Sequence, residues 1–289
     1  WTYTLGTGLL DPWTKGATAL LAFQGVDHAQ IPLLLKRHEA TIFAAAPSVY
    51  RHILKSGPLD LPKLRHGLSA GEKLPAAIRE TWQSATGRRV FEAFGMSECS
   101  TFISSAPDLP DCAPESLGWP QPGRRIAILT DDGPAPIGMP GIIAVHKSDP
   151  GLMLGYLDQP EETASRYQDD WFLTGDMGEM THSNDILYHG RADDMMNAGG
   201  FRVSPLEVEA ALMQHPDIQD VGVTDVEIKA DTRIIAAYYV ADAKIDSDTL
   251  TQFASDHLAR YKQPRLFHRI ASLPRNANNK LLRRALPDQ

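Results

Sequence analysis

The chain has 289 residues, 43% hydrophobic and 22% charged, with a formal net charge of -8; this is enough apolar material for two packed domains and excludes a disordered chain. The acidic excess, with Lys and Arg scattered rather than banked, argues against a nucleic-acid partner. Cys99 and Cys112 form neither a disulfide framework nor a metal-ligand spacing, the ten histidines make no His-Glu-x-x-His pattern, and no apolar run reaches membrane-spanning length. A reducing, cytoplasmic setting without a membrane span or structural metal is therefore expected.

The chain opens on "WTYTLGTGLL", an apolar, Gly-punctuated stretch without an initiator Met that reads as the middle of a domain, so a preceding segment is expected. From Trp1 to about Ala106, helical and strand character alternate. "IPLLLKRHEA" (31–40) predicts a helix, "TIFAAAP" (41–47) a buried strand stopped by Pro47, and "SVYRHILKS" (48–56) a helix capped by Ser48. "LRHGLSAG" (64–71) is a short strand running into a Gly turn, "LPAAIRETWQSATG" (74–87) a helix closed by Gly87, and "RRVFEAFG" (88–95) another strand. Such alternation predicts a parallel sheet with crossover helices and ligands at the carboxyl ends of its strands. From 107 to 190, short strands such as "RRIAIL", "GIIAVHK", "WFLTGDMGEM" and "DILYHG", broken by Pro and Gly turns, predict a β-rich subdomain. After residue 190 come a helix with a capping box (Ser204, Pro205, Glu207), two strands ("VGVTDV", "RIIAAYYVA") and an amphipathic helix in "SDTLTQFASDHLARY". Residues 195–289 thus read as a small α+β domain.

Three loops containing Gly and a carboxylate follow strands: "SAGEKLP" (69–75), "FGMSE" (94–98) and "LTGD" (173–176). A fourth segment, "GRADDMMNAGGFRVSPLEVE" (190–209), joins the second and third regions. Near the end, "LPRNANNKLLRR" places Lys280 in an Asn-rich loop. In this order these segments resemble the adenylate-forming superfamily of acyl-CoA synthetases, peptide-synthetase adenylation domains and luciferases, over essentially the whole chain. "FAAAPSVY" is similar to the family's acyl-pocket strand, "FGMSE" to its aromatic-Gly-x-Thr-Glu motif, "WFLTGD" to Tyr-x-Thr-Gly-Asp, "GRADD" to the Gly-Arg-x-Asp hinge and "LPRNANNK" to the terminal lysine segment.

The resemblance implies an α/β fold: residues 1–190 as part of a large domain (1–106 α/β with a parallel sheet, 107–190 β-rich), a hinge at 191–194 containing Asp193, and a small mobile α+β domain at 195–289. It also implies ATP, Mg²⁺, coenzyme A and a small carboxylic acid as the reacting partners, and leaves a homodimer open. By the same resemblance Glu98 would bind Mg²⁺ and Ser97 would contact phosphate. Phe94 would stack on adenine opposite the Gly71-Glu72-Lys73 backbone, while Asp176 and Arg191 would hold the ribose. Lys280 would reach the substrate carboxylate and phosphate during adenylation, and Gly199 and Gly200 would replace it beside the pantetheine channel after the small domain turns, with Arg202 on a phosphate. Phe43, Ala44, Ala45 and Gly95 would line the acyl pocket, although 43–46 read equally as plain strand core.

The family's Ser/Thr/Gly-rich phosphate loop is absent; "LGTGLLDP" lacks its hydroxyl run and lysine, and "WTYTLGTGLLDPWTKGA" reads as the helix and strand region downstream of that loop. "NAGGFRVSPLEVEAAL" is closer to short-chain, medium-chain and aromatic acyl-CoA synthetases than to peptide-synthetase domains. Two alternatives stay open: an adenylation domain serving a carrier protein in trans, and a non-catalytic nucleotide- or CoA-binding remnant.

Overall fold

A computed structural model describes residues 2–22, 26–113, 115–198, 201–229, 232–276 and 281–288. The chain divides into two compact units, residues 1–174 with 178–188, and residues 175–177 with 189–289.

The first unit begins with α1 (Thr2–Leu5), a π turn (Gly6–Leu10) and α2 (Asp11–Thr14). No strand forms in this stretch. Leu5, Leu10 and Asp11 all hold right-handed helical angles and the Asp11 N–H reaches back to the Gly6 carbonyl, so the helix passes through the glycines with one widened turn. Next come α3 (Ile31–Arg37), β1 (Ile42–Ala45) and α4 (Pro47–Lys55). Pro47 does more than stop the strand. It is the first helical residue, where its missing N–H costs nothing; Ala46 is the N-cap, and Ser48, expected as the cap, is buried in the first turn. β2 (His66–Ser69), α5 (Ala76–Thr86), closed by Gly87 at φ 66°, and β3 (Val90–Met96) follow the predicted order.

β1, β2 and β3 run parallel, with α4 and α5 as the crossovers. The sheet is nevertheless mixed, because β4 (Ser100–Ser104) doubles back antiparallel on β3 and β5 (Trp119–Pro120) adds antiparallel to β4. The aromatic core between sheet and helices is Phe43, Tyr50 and Trp82, with the Tyr50 and Trp82 rings edge to face at 4.7 Å. The buried Tyr50 hydroxyl lies 2.9 Å from the Phe43 carbonyl and 3.0 Å from the Leu68 carbonyl, tying β1 to β2 from the helix side.

The predicted β-rich region is a second sheet: β6 (Ile126–Thr130), β7 (Gly133–Pro134), β8 (Gly141–His146), β9 (Tyr167–Gln168), β10 (Trp171–Met180) and β11 (Ile186–Arg191), in the order β11-β10-β8-β6-β7 with β9 on β10. A short helix, α6 (Pro160–Ser165), precedes β9. Ile103, Ile128, Ile143, Val145 and Ile186 form its buried core with Cys99 and Phe102.

The second unit contains the β12 (Met196–Ala198) and β13 (Phe201–Val203) hairpin, α7 (Pro205–Leu212), the antiparallel pair β14 (Asp220–Lys229) and β15 (Thr232–Val240), α8 (Ser247–His257) and β16 (Leu266–Arg269), parallel to β15. Pro205 starts α7 as predicted, but the capping box does not close. The Ser204 hydroxyl donates to the His189 carbonyl at 2.7 Å and Glu207 pairs with Lys262 at 2.5 Å, because tertiary partners outcompete the local cap. Among the described residues no helix is long and apolar enough to cross a membrane, and no cluster of three or more His, Cys, Asp or Glu could hold a metal ion.

Candidate active site

In the first unit, β3 carries Phe94 and Gly95 inside its last turn of strand, and Ser97, Glu98 and Cys99 make the tight turn into β4. The segment read as a loop is therefore half strand. Only glycine fits at 95: a Cβ there would overlap the Ser100 carbonyl oxygen and lie 2.7 Å from Thr101 Cα. Cys99 is fully buried and roots the turn in the core, where burial and the nearby Asp149 push its thiol up to about 11, far from a nucleophile's range. Phe94 is half-buried, edge to face with Phe102 at 5.4 Å and tilted against Tyr188 at 5.6 Å. Ser97 is exposed and Glu98 half-buried.

Glu98 is oriented by a residue that sequence reading missed. Its Oε1 accepts the Tyr156 hydroxyl at 2.8 Å, and its carbonyl accepts the Met153 N–H at 2.6 Å. Burial and this hydrogen bond both raise the Tyr156 pKa. The segment bearing Tyr156 is fixed by the buried Asp149, which accepts from Arg124 Nη1 at 2.6 Å, Gly151 N–H at 2.9 Å and Arg125 N–H at 3.2 Å. Burial pushes the Asp149 carboxyl up, but these donors outweigh it and hold the pKa below the usual range. No periodicity or motif in "LMLGYLDQP" separates Tyr156 from a surface tyrosine.

The 69–75 loop begins with buried Ser69 and Ala70 and turns at Gly71, φ 94°. Lys73 points its ammonium inward, donating to Glu92 Oε2 at 2.8 Å and the Ser116 carbonyl at 2.8 Å. Burial lowers its pKa despite the opposing Glu92 charge. Glu72 is half-buried. Of the residues expected around the acyl group, Phe43 and Ala45 pack on the α4–α5 core, Ala44 sits between them on the opposite face of β1, and Gly95 is exposed at the hairpin.

In the second unit, Asp176 and Arg191 come together although 15 residues apart, with Arg191 Nη1 3.3 Å from Asp176 Oδ2 and Arg191 Nε 3.2 Å from Asp193 Oδ1. "LTGD" is the interior of β10 rather than a loop. Gly175 breaks its regularity with φ 77°, and a Cβ there would lie 2.9 Å from Arg191 Nη2, so glycine lets the guanidinium lie over the strand and reach Asp176. Asp176 is buried. The Asp193 carboxyl is pushed up by burial but held below its usual range overall by Arg191 and Arg284. Arg202 pairs with Asn197 in the β12–β13 register. Gly199, Gly200 and Lys280 lie outside the described residues.

A family profile described as "AMP-binding enzyme" matches residues 1–157, and one described as "AMP-binding enzyme C-terminal domain" matches residues 207–280. Similar curated proteins include the mitochondrial acyl-coenzyme A synthetase ACSM3 of Rattus norvegicus, 29% identical over 300 residues that cover 99% of this chain and 52% of the relative. A 3-hydroxybenzoate–CoA ligase of Aromatoleum sp. (strain CIB) is 30% identical over 289 residues, covering 96% of this chain and 55% of the relative. Among solved structures, the anthranilate CoA ligase AuaEII in complex with anthranoyl-AMP superposes with a TM-score of 0.87 at 30% identity, covering 99% of this chain and 57% of that one. The o-succinylbenzoate coenzyme A synthetase of Bacillus subtilis in complex with ATP and magnesium ion gives 0.88 at 28% identity, with 99% and 59% covered. The chain spans about half the length of the curated relatives it matches.

Proposed function

Since the chain belongs to the AMP-binding enzyme family, we propose that it carries the adenylate-handling and small-domain machinery of an ATP-dependent carboxylate–CoA ligase acting on a short, medium-chain or aromatic acid. A substrate carboxylate oxygen attacks the α-phosphorus of ATP, the bond to pyrophosphate breaks, and an acyl-adenylate results. The CoA sulfur, its thiol proton lost to solvent, then attacks the acyl carbon and AMP leaves. Similarity to a 3-hydroxybenzoate–CoA ligase and to an anthranilate CoA ligase supports this chemistry and leaves the acid itself to measurement.

The observation that carries the reading is the β3–β4 turn. It presents a phenol-oriented carboxylate, Glu98, four residues from an aromatic ring, Phe94, at the carboxyl end of a parallel strand, where open α/β sheets bind ligands. Mg²⁺ keeps most of its water and substrate ligands and asks a protein for one or two hard oxygens, so the Glu98 carboxylate suits it. When bound, the ion screens the phosphate charges. Ser97 contributes a hydroxyl to phosphate, Phe94 and the 71–73 backbone flank the adenine, and the Asp176 carboxylate accepts from both ribose hydroxyls with Arg191 beside it. Lys280 serves the first half-reaction as a compact ammonium on a flexible stem. Rotation about Asp193 then substitutes Gly199, Gly200 and Arg202 for it in the second.

The test is acid-dependent ATP–pyrophosphate exchange together with CoA-dependent AMP release, over a panel of short, medium-chain and aromatic acids. Exchange with one acid class without CoA, and AMP release only with CoA, is the expected result. AMP binding without either reaction would replace the ligase reading with a nucleotide-binding one.

A further inference from the structure

Glu92 is a buried carboxylate, 4% exposed, on β3. Its Oε1 accepts the Leu74 N–H at 2.9 Å, and its Oε2 accepts Lys73 Nζ at 2.8 Å and the Arg79 guanidinium. Its own N–H donates to Ser105 Oγ at 2.9 Å, which fixes the strand to the residue just after β4. Lys73 extends the network to the Ser116 carbonyl, and Ser116 bridges to Leu187. A buried ion cluster is a poor way to gain stability, since apolar side chains of similar volume do as well or better. This one does something packing cannot: one carboxylate grips the backbone of the 71–74 loop and the first turns of α5 together.

Alternate residues of a strand share a face, so Glu92 and Phe94 project from the same side of β3. The loop held by Glu92 is therefore pinned on the side of the strand that carries the Phe94 ring. We infer that Glu92 is a positioning residue for nucleotide recognition, setting the separation between the Gly71-Glu72-Lys73 backbone and the Phe94 ring so that a planar purine fits between them. This rests on the adenine role of those residues proposed above. Glu92 touches no reacting atom; it acts through the loop.

The experiment uses the full chain and the variants Glu92→Gln and Glu92→Ala, with AMP as the probe. Hydrogen exchange of the 70–75 amides is measured without ligand, AMP affinity by calorimetry, and global stability by urea midpoint. Glu92→Ala is expected to speed exchange at Leu74 and its neighbours at least tenfold and to weaken AMP binding at least tenfold, with β1, β2 and α4 as protected as before. Glu92→Gln, which keeps an oxygen for the Leu74 N–H, recovers most of the loop protection and part of the AMP affinity. Unchanged loop exchange, or acceleration spread evenly over β1 to β3 and both helices in both variants, overturns the positioning role. Failure of the unsubstituted chain to bind AMP instead removes the nucleotide reading, and the exchange data still decide whether Glu92 positions the loop.

Discussion

Gly67→Ala tests the packing that supports the 69–75 loop, proposed above to flank the adenine, because β2 leads directly into it. A Cβ on Gly67 would overlap the Tyr50 hydroxyl oxygen, with ring Cζ and Cε1 next at 3.2 and 3.3 Å. Tyr50 cannot swing away: it is fully buried, wedged against Phe43 and Trp82, and its hydroxyl is held by two backbone carbonyls. Overpacking of this kind costs about 2 kcal/mol. Tyr50→Phe alone loses the net value of a buried hydrogen bond, about 1 kcal/mol. In the double variant the offending oxygen is gone, and the new methyl meets ring carbon at a separation that a small shift relieves. The pair should therefore cost at least about 1 kcal/mol less than the sum of the singles. All five tryptophans precede residue 175, so fluorescence-monitored urea unfolding reports the first unit. A coupling energy below about 0.5 kcal/mol, within the error of simple additivity, would refute the clash argument.

Tyr156→Phe removes the hydrogen bond to Glu98 while leaving the ring in place; about a tenfold fall in kcat/KM for Mg²⁺-ATP is expected, with the KM for the acid unchanged, measured by pyrophosphate exchange. Asp149 has a depressed pKa in the folded chain, so its contribution to stability is present above the unfolded carboxyl value of about 4 and is lost as pH falls through the lower folded value. Asp149→Asn should accordingly be less stable than the unsubstituted chain at pH 7, with the gap in urea midpoint narrowing below about pH 4. Lys280→Ala should suppress adenylate formation far more than thioester formation from a supplied acyl-adenylate, and equal loss in both half-reactions would count against the domain rotation.

The contacts made by the loops were much less legible than the elements. In the capping pattern at 204–207 and the Pro47 stop, local grammar pointed to a helix boundary correctly but named the wrong bonds. Ser204 turns to the His189 carbonyl and Pro47 starts a helix without a side-chain cap. The hairpin after Met96 was hidden because its turn, Ser97-Glu98-Cys99, has no turn glycine; Gly95 lies before it and is demanded by the approach of β4.

Features that depend on neighbours within a turn or two were readable from residue order alone: the helices at 76–86 and 247–257, the long strands after residue 120, the Gly87 stop, and the succession of motif segments that marks the family. Those features follow from hydrophobic period and from backbone preference, which act over a few residues. Which partner each polar group meets is settled by the folded arrangement of distant segments. Lys73 turns inward because Glu92 lies 19 residues away in sequence and 2.8 Å away in space. Glu98 is held by Tyr156 across 58 residues, and Arg191 reaches Asp176 over a glycine whose positive φ no propensity announces. A buried charge must find a partner wherever the chain's folding brings one, and its choice is set by loop closure and packing rather than by proximity in sequence.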